Sequence, residues 1–271
     1  MSPRRAALPH AWTVWPCQPA DGPTNMATDA VLLDHASPDV GVWRWYAWST
    51  PTVSFGRNER TAGRYSPASV AAAGLPAVRR PTGGRALLHS REITYSVTFG
   101  LTGSQGWREA YDAVNDVLEA ALRAMGVPVA RAGAQPPVAP DGPVCFDMPA
   151  EGELVVNGRK LVGSAVWRHG SRYLQHGSIL LHDDQAMLAE ASEGSMPLPP
   201  PAAGLLELPL GSSGIPAHSD ARTAQVALAA AVHCELSRDA TVTGFTPSAS
   251  LLGEIALRRD EFTDPDRLWR R

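Results

Sequence analysis

An Asn-Gly pair at 157–158 sits between two apolar runs, ELVV at 153–156 and RKLVGSAV at 159–166. Asn-Gly suits the two-residue type I′ turn, in which both central residues need positive φ, so the segment predicts a tight β-hairpin with its register fixed by the turn. Pairing Val156 with Arg159 and Val155 with Lys160 puts the lysine on one face with Val155, Val162, Ser164 and Val166. An ammonium among such residues requires a solvated cleft or a charged or polar partner, because its burial is otherwise costly. Just ahead of the hairpin, PVCFDMPAEG brings in Cys145 from a Pro-rich loop at 131–143. A thiol delivered beside a fixed positive charge suggests a nucleophile. The plain alternative for a lone cysteine is a small buried hydrophobe, but Cys145 lies outside any periodic apolar run.

The rest of the chain alternates helical and strand patterns irregularly. NMATDAVLLDHA at 25–36 spaces Met26, Ala30, Leu33 and Ala36 as an amphipathic helix, with Thr24 as its cap. VWRWYAWS and PTVSFGR (42–49 and 51–57), separated by a Ser-Thr-Pro turn signal, predict a pair of strands. A short helix follows at 66–74, between Ser66 as cap and Gly74 as stop, and then strands at 75–81 and 93–99. The run 105–126 is the clearest helix, ending at Gly126. After the hairpin come a β-rich run, RYLQHGSILL, and closing helices at about 220–236 and 248–260. The expected fold is α+β: mixed sheets covered by helices, with a short helical C-terminal tail. The expected division is a loose segment 1–20, a catalytic domain 21–192, a Pro/Gly-rich linker 193–218 and a helical segment 219–271 that packs on the catalytic domain.

With 271 residues and 44% hydrophobic residues the chain can bury a full core. A net charge of −3 provides no basic stripe for nucleic acid. No segment reads as a signal peptide or a membrane span. The three cysteines, Cys17, Cys145 and Cys234, are widely spaced and form no CxxC pattern, which argues for a reducing compartment, taken as cytoplasmic, and against a metal site.

RRPTGGRALLHS at 79–90 combines Arg79, Arg80, a Gly83-Gly84 pair, Arg85 and His89 between strands. Adjacent glycines let backbone N–H groups approach a ligand, and guanidiniums suit a carboxylate or phosphate. A glycine turn with solvated arginines would look the same in composition. The loop is neither a Walker loop nor a dinucleotide fingerprint. A thiol attacks as thiolate, so Lys160 or His89 nearby would activate Cys145, and His176 in QHGS is also available.

Four segments, NMATDAVLL, RRPTGGRALLHSREITYSV, CFDMPAEGELVVNGRKLVGSAVWR and LQHGSILL, in this order and spacing, resemble the biotin/lipoate protein ligase superfamily. More narrowly, they resemble lipoate-protein ligase A and the cysteine-dependent octanoyl transferases. The resemblance implies an acyltransferase of protein lipoylation. Cys145 in a CFxxP motif would accept the acyl group and Lys160 would contact the reacting carbonyl. Arg79, Arg80, Thr82, Gly83, Gly84, Arg85, His89, Gly163, Ser164, Ala165, His176 and Gly177 would bind substrate. It implies octanoyl-acyl carrier protein as donor and a lipoyl carrier domain as acceptor, from a glycine-cleavage H protein or a 2-oxoacid dehydrogenase E2. No cofactor is needed on that reading. The rival, an ATP-dependent lipoate ligase, needs ATP and Mg²⁺ and leaves Cys145 incidental. A rival of another class is a non-catalytic acyl- or carrier-binding module. Two positions depart from the family pattern: Arg85 stands where a third glycine is usual, and Val166 where a glutamine often follows Ser-Ala. The biotin-type GRGRxGR loop is absent.

Overall fold

Asn157 and Gly158 take φ of 51° and 76°, the paired positive values of a type I′ turn. Val156 pairs with Arg159 and Val155 with Lys160, as the turn dictates, while a register shift between Leu154 and Val155 lets Leu154 face Val162. The computed structural model describes residues 7–103, 105–133, 150–194, 198–208 and 219–269. In chain order the elements are β1 (Ala11–Ala20), α1 (Gly22–Asp34), β2 (Val40–Trp48), β3 (Thr52–Phe55), α2 (Pro67–Ala72), β4 (Ala77–Arg79), β5 (Leu87–His89), β6 (Glu92–Gly100) and α3 (Trp107–Ala124). There follow β7 (Ala130–Arg131), the hairpin strands β8 (Leu154–Val156) and β9 (Arg159–His169), β10 (Arg172–Leu180), α4 (Met187–Glu190), α5 (Ala221–Leu236), β11 (Thr241–Gly244), α6 (Ala249–Arg258) and α7 (Pro265–Leu268).

Eight strands form one sheet in the order β11-β1-β2-β6-β10-β9-β8-β7, and β4-β3-β5 form a second. In the large sheet β1 runs parallel to β2 and β11, the β1–α1–β2 connection being a crossover, and the remaining pairs are antiparallel. Strand alternation gives this sheet two different faces, both buried. One carries Trp43, Trp45, Tyr95, Val97, Phe99, Tyr173 and Ile179 and packs on α3 and α5 through Val114, Leu118, Leu122, Leu228 and Val232. The other is polar: Arg44 pairs with Ser96 and Ser96 with His176, while Tyr46 pairs with Thr94 and Thr94 with Ser178. Helix α1 lies over that side, its Met26, Ala27, Ala30 and Val31 meeting Val78 of β4 and Ile255 of α6. Burying a polar face is costly unless most of its groups find partners. That requirement shapes the site below.

Three expectations need correction. The cap of α1 is Asp21, whose carboxylate accepts from Thr24 N–H at 2.9 Å, because Pro23 in the first turn starts the helix earlier than its apolar spacing indicates. The runs 42–49 and 51–57 do not pair with each other: β2 is bonded on both edges, by β1 and β6, so β3 builds the second sheet with β4 and β5. Within the Pro/Gly-rich stretch, residues 198–208 dock on the large sheet, with Ala202, Ala203 and Leu205 buried and Ala203 N–H donating to Lys160 O at 2.8 Å.

Candidate active site

Lys160 is drawn to a buried carboxylate. Its Nζ lies 2.8 Å from Glu153 Oε2, and the two side chains are 3% and 4% exposed. Glu153 is itself held by the N–H of Ala150, 2.7 Å from Oε2, and of Ser164, 3.5 Å from Oε1. The Ser164 hydroxyl is 2.7 Å from Tyr95 Oη, which accepts from Gln175 Nε2 at 2.9 Å. Burial pushes the Tyr95 phenol up to about 12, keeping it neutral. The sequence requires a partner for Lys160, and Glu153, immediately before β8, supplies it.

A cleft of about 1040 Å³ opens beside this ion pair. Gly83, Gly84, Arg85, Lys160, Ser164 and Ala165 line it together, with Tyr111, Asp112 and Asp116 of α3. The glycine loop and the hairpin, far apart in the chain, thus line one cleft. Cys145 lies outside the described residues. Gly133 and Ala150, which flank the segment 134–149, both line the cleft. A second, inner pocket of about 20 Å³ is bounded by Met26, Arg80, Leu87, His89, Gly163, His176 and Gly177, and it shares Ser164 and Ala165 with the cleft. It has room for about one water.

Arg79 and Arg80 differ from expectation. Both are buried, and their donors go to backbone carbonyls. Arg79 bonds the oxygens of Gly56, of Glu59 at 2.8 Å and of Leu268 at 2.5 Å. Arg80 donates to Ser54 O and Oγ at 3.0 and 2.9 Å, to Gly83 O at 3.1 and 2.9 Å, and to Arg85 O at 2.7 Å. Arg80 also borders the inner pocket, but Arg79 lines neither space. The guanidiniums hold the glycine loop in shape, a use of their rigid fork that leaves the ligand to the backbone.

The loop geometry follows. Among the described residues no peptide is cis, so each N–H in the loop points opposite to the preceding C=O. Gly83 O is turned toward Arg80, and Thr82 O accepts from Arg57 N–H at 2.8 Å. The N–H groups of Gly84 and Gly83 are therefore turned the other way, on residues that line the cleft. Gly84 has φ +95°, and a Cβ on Gly56 would fall 1.8 Å from Gly84 O. Both positions need glycine. Glu59, which no sequence pattern singles out, accepts from Gly56 N–H at 3.0 Å and Ala86 N–H at 2.8 Å, and its burial raises its pKa.

The histidines stand behind the loop. His89 is stacked on Trp48 with centroids 3.9 Å apart, its Nδ1 2.8 Å from Glu92 Oε1 and its Nε2 2.8 Å from Ser54 Oγ. His176 Nε2 is 2.5 Å from Thr82 Oγ1 and its Nδ1 is 3.0 Å from Asp29 Oδ2. Both histidines border the inner pocket, not the cleft, and both have their ring nitrogens engaged.

The model of the lipoyl protein ligase A/B catalytic domain matches residues 21–196, and the chain belongs to that family. Within it, the chain is 36% identical to the octanoyltransferase LipM of Symbiobacterium thermophilum over 260 residues, 89% of this chain and 88% of that one. It is 42% identical to LipM of Kyrpidia tusciae over 178 residues, a match that spans 61% of this chain and 64% of the relative. Among solved structures, lipoate-protein ligase A bound with ATP superposes with a TM-score of 0.70 at 16% identity, covering 94% of this chain and 95% of that one. The bi-partite lipoate protein ligase of Thermoplasma acidophilum gives 0.74 at 15% identity, covering 96% and 97%. These two share the fold.

Proposed function

We propose that the chain transfers an octanoyl group from acyl carrier protein, through a thioester on Cys145, to a lysine of a lipoyl carrier domain such as that of a glycine-cleavage H protein. The observation that carries this reading is the meeting, in one cleft, of Lys160, the Gly83-Gly84 pair, and both flanks of the segment that contains Cys145. The similarity to LipM octanoyltransferases supports it.

In the first step the Cys145 thiolate attacks the thioester carbonyl and the C=O electron pair moves to oxygen. Collapse of this oxyanion breaks the bond to the carrier sulfur, which leaves as thiolate and takes a proton from solvent. In the second step a neutral lysine amine attacks octanoyl-Cys145. Collapse re-forms the Cys145 thiolate and an amide, and the amine's surplus proton is released. Lys160 Nζ and the N–H groups of Gly83 and Gly84 stabilise the oxyanion in both steps, and donors of this kind are each worth about 10²–10³ in turnover. Ser164 and Ala165 border the acyl chain, with Gly163, His89, His176 and Gly177 behind them in the inner pocket. That pocket must widen to admit the chain, and Met26, the most adaptable of its apolar walls, is the side chain suited to move. Six or seven buried carbons at ~0.8 kcal/mol each supply roughly 5 kcal/mol.

Among the described residues, the charges that line the cleft disfavour a nucleoside triphosphate. Glu59, Asp112, Asp116, Glu119, Glu151 and Glu153 line it against Arg85, Arg108, Arg131 and Lys160. Of these cations, Lys160 is engaged with Glu153, and Arg131 with Asp116 at 2.5 Å and Glu119 at 2.9 Å. The test is intact-mass measurement after incubation with octanoyl-acyl carrier protein, with and without ATP. An octanoyl adduct formed without ATP and lost in Cys145→Ala is expected. An adduct that survives Cys145→Ala, or appears only with ATP, overturns the reading.

A further inference from the structure

Behind the glycine loop runs a buried chain of hydrogen bonds that no step of the transfer uses. Thr82 Oγ1, His176 Nε2, His176 Nδ1 and Asp29 Oδ2 follow one another at 2.5 and 3.0 Å, and Thr82, His176 and Asp29 are 0%, 6% and 0% exposed. The residues come from the loop, β10 and α1. Asp29 Oδ1 accepts from Arg44 Nη1 at 2.8 Å, and Oδ2 also accepts from Tyr46 Oη–H at 3.1 Å. Arg44 is fixed in turn by Asn25 Oδ1 at 2.7 Å.

The order of donors follows from these partners. Burial opposes ionisation of Asp29, but the His176 and Arg44 contacts outweigh it and hold the carboxyl below its ordinary range. Burial holds His176 below its ordinary range, and Arg80 and His89 act in the same direction, while Asp29 opposes them. A neutral imidazole facing a carboxylate must carry its proton on Nδ1. Nε2 is then a bare acceptor, and the Thr82 hydroxyl must donate to it. That fixes the Thr82 rotamer, one residue before Gly83.

We infer that Asp29 is a positioning residue of the transfer: acting through His176, it locks the Thr82 hydroxyl and with it the orientation of the Gly83 and Gly84 N–H groups. The inference rests on the proposed use of those groups as oxyanion donors. Ionic and hydroxyl donors crowd the two Asp29 oxygens, which makes asparagine an informative substitution. The one carbonyl oxygen of Asp29→Asn is claimed by Arg44, the charged and stronger donor. The amide then faces His176 Nδ1, which must become an acceptor. The proton moves to Nε2, where it opposes the Thr82 hydroxyl proton and forces that hydroxyl to turn.

The experiment combines ¹⁵N-histidine spectra of the full chain, with His176 assigned from His176→Gln, and steady-state transfer from octanoyl-acyl carrier protein to a lipoyl domain. The wild type is expected to show the Nδ1–H tautomer and Asp29→Asn the Nε2–H tautomer. Turnover in Asp29→Asn falls roughly 10- to 100-fold with KM unchanged, the scale of a small misplacement of catalytic groups. Thr82→Val loses the same factor and Thr82→Ser keeps activity, which covers the case of Asp29→Asn failing to fold. A wild-type Nε2–H tautomer, a tautomer switch with kcat intact, or a fully active Thr82→Val overturns the inference. Absence of any Cys145 adduct in the wild type sinks the transferase reading instead, and the tautomers still decide whether the relay is built as described.

Discussion

Replacing Lys160 by Met separates the two roles of the ion pair. The methionine keeps the apolar stem and removes the positive charge 2.8 Å from Glu153 Oε2. Glu153 retains its two backbone donors, yet a carboxylate 4% exposed has lost its counter-ion. Breaking a buried pair from one side costs about 3–5 kcal/mol, because the remaining charge stays desolvated. That is a large share of a total stability of about 5–15 kcal/mol. For a chain of this size about 2–4 °C of melting temperature is lost per kcal/mol, so Lys160→Met melts about 6–20 °C lower. Replacing both members by neutral residues, Lys160→Met with Glu153→Gln, removes the uncompensated charge and returns the melting temperature most of the way. Octanoyl transfer behaves differently: it falls about 10²–10³-fold in the single variant and stays low in the double, since an oxyanion donor is missing from both. Calorimetry alongside a transfer assay reads both quantities. A double variant that regains activity with stability would show that Lys160 serves only the fold, and a single variant that melts like wild type would refute the account of the ion pair.

Gly56→Ala places a Cβ 1.8 Å from Gly84 O, a backbone atom; the loop must move, and a drop of at least about 10²-fold in transfer is expected together with a melting temperature about 2–12 °C lower, the cost of overpacking by about 1–3 kcal/mol. Acidification provides another check. Because His176 is held below its ordinary value of 6.5, the unfolded chain binds a proton that the folded chain refuses as pH drops below about 6.5. Stability therefore declines by up to ~1.4 kcal/mol per pH unit until the lowered folded pKa is reached, and urea midpoints of His176→Gln should lack that slope.

Much of the site is local in sequence and was legible there. The I′ turn fixed the Lys160 register, and Ser66 stands as the cap of α2 because a short polar side chain before an apolar run has that local use. The Gly83-Gly84 pair lay in a loop between strands, as required. The partners were another matter. Arg79 and Arg80 spend their donors on carbonyl oxygens, which every residue carries and no sequence pattern marks. Asp29 and His176 are 147 positions apart and meet only once the crossover helix lies on the sheet. Alternation within ITYSVTF could have shown a polar face on β6, but not that the face would be buried. The separation of β2 from β3 depended on β1 and β6 occupying both edges of β2, a long-range outcome that turn signals between the strands do not contain.

The Arg79 guanidinium ties three carbonyls, two from the loop at 56–59 and one from Leu268, 189 positions further on. During synthesis the chain makes the glycine loop early and its last anchor late. Until residue 268 has left the ribosome, a buried cation behind the loop is short of one acceptor, and β11, which borders β1, has only just been added to the sheet. The order of translation thus sets the order of assembly: the glycines and the lysine are made well before the last carbonyl that Arg79 ties.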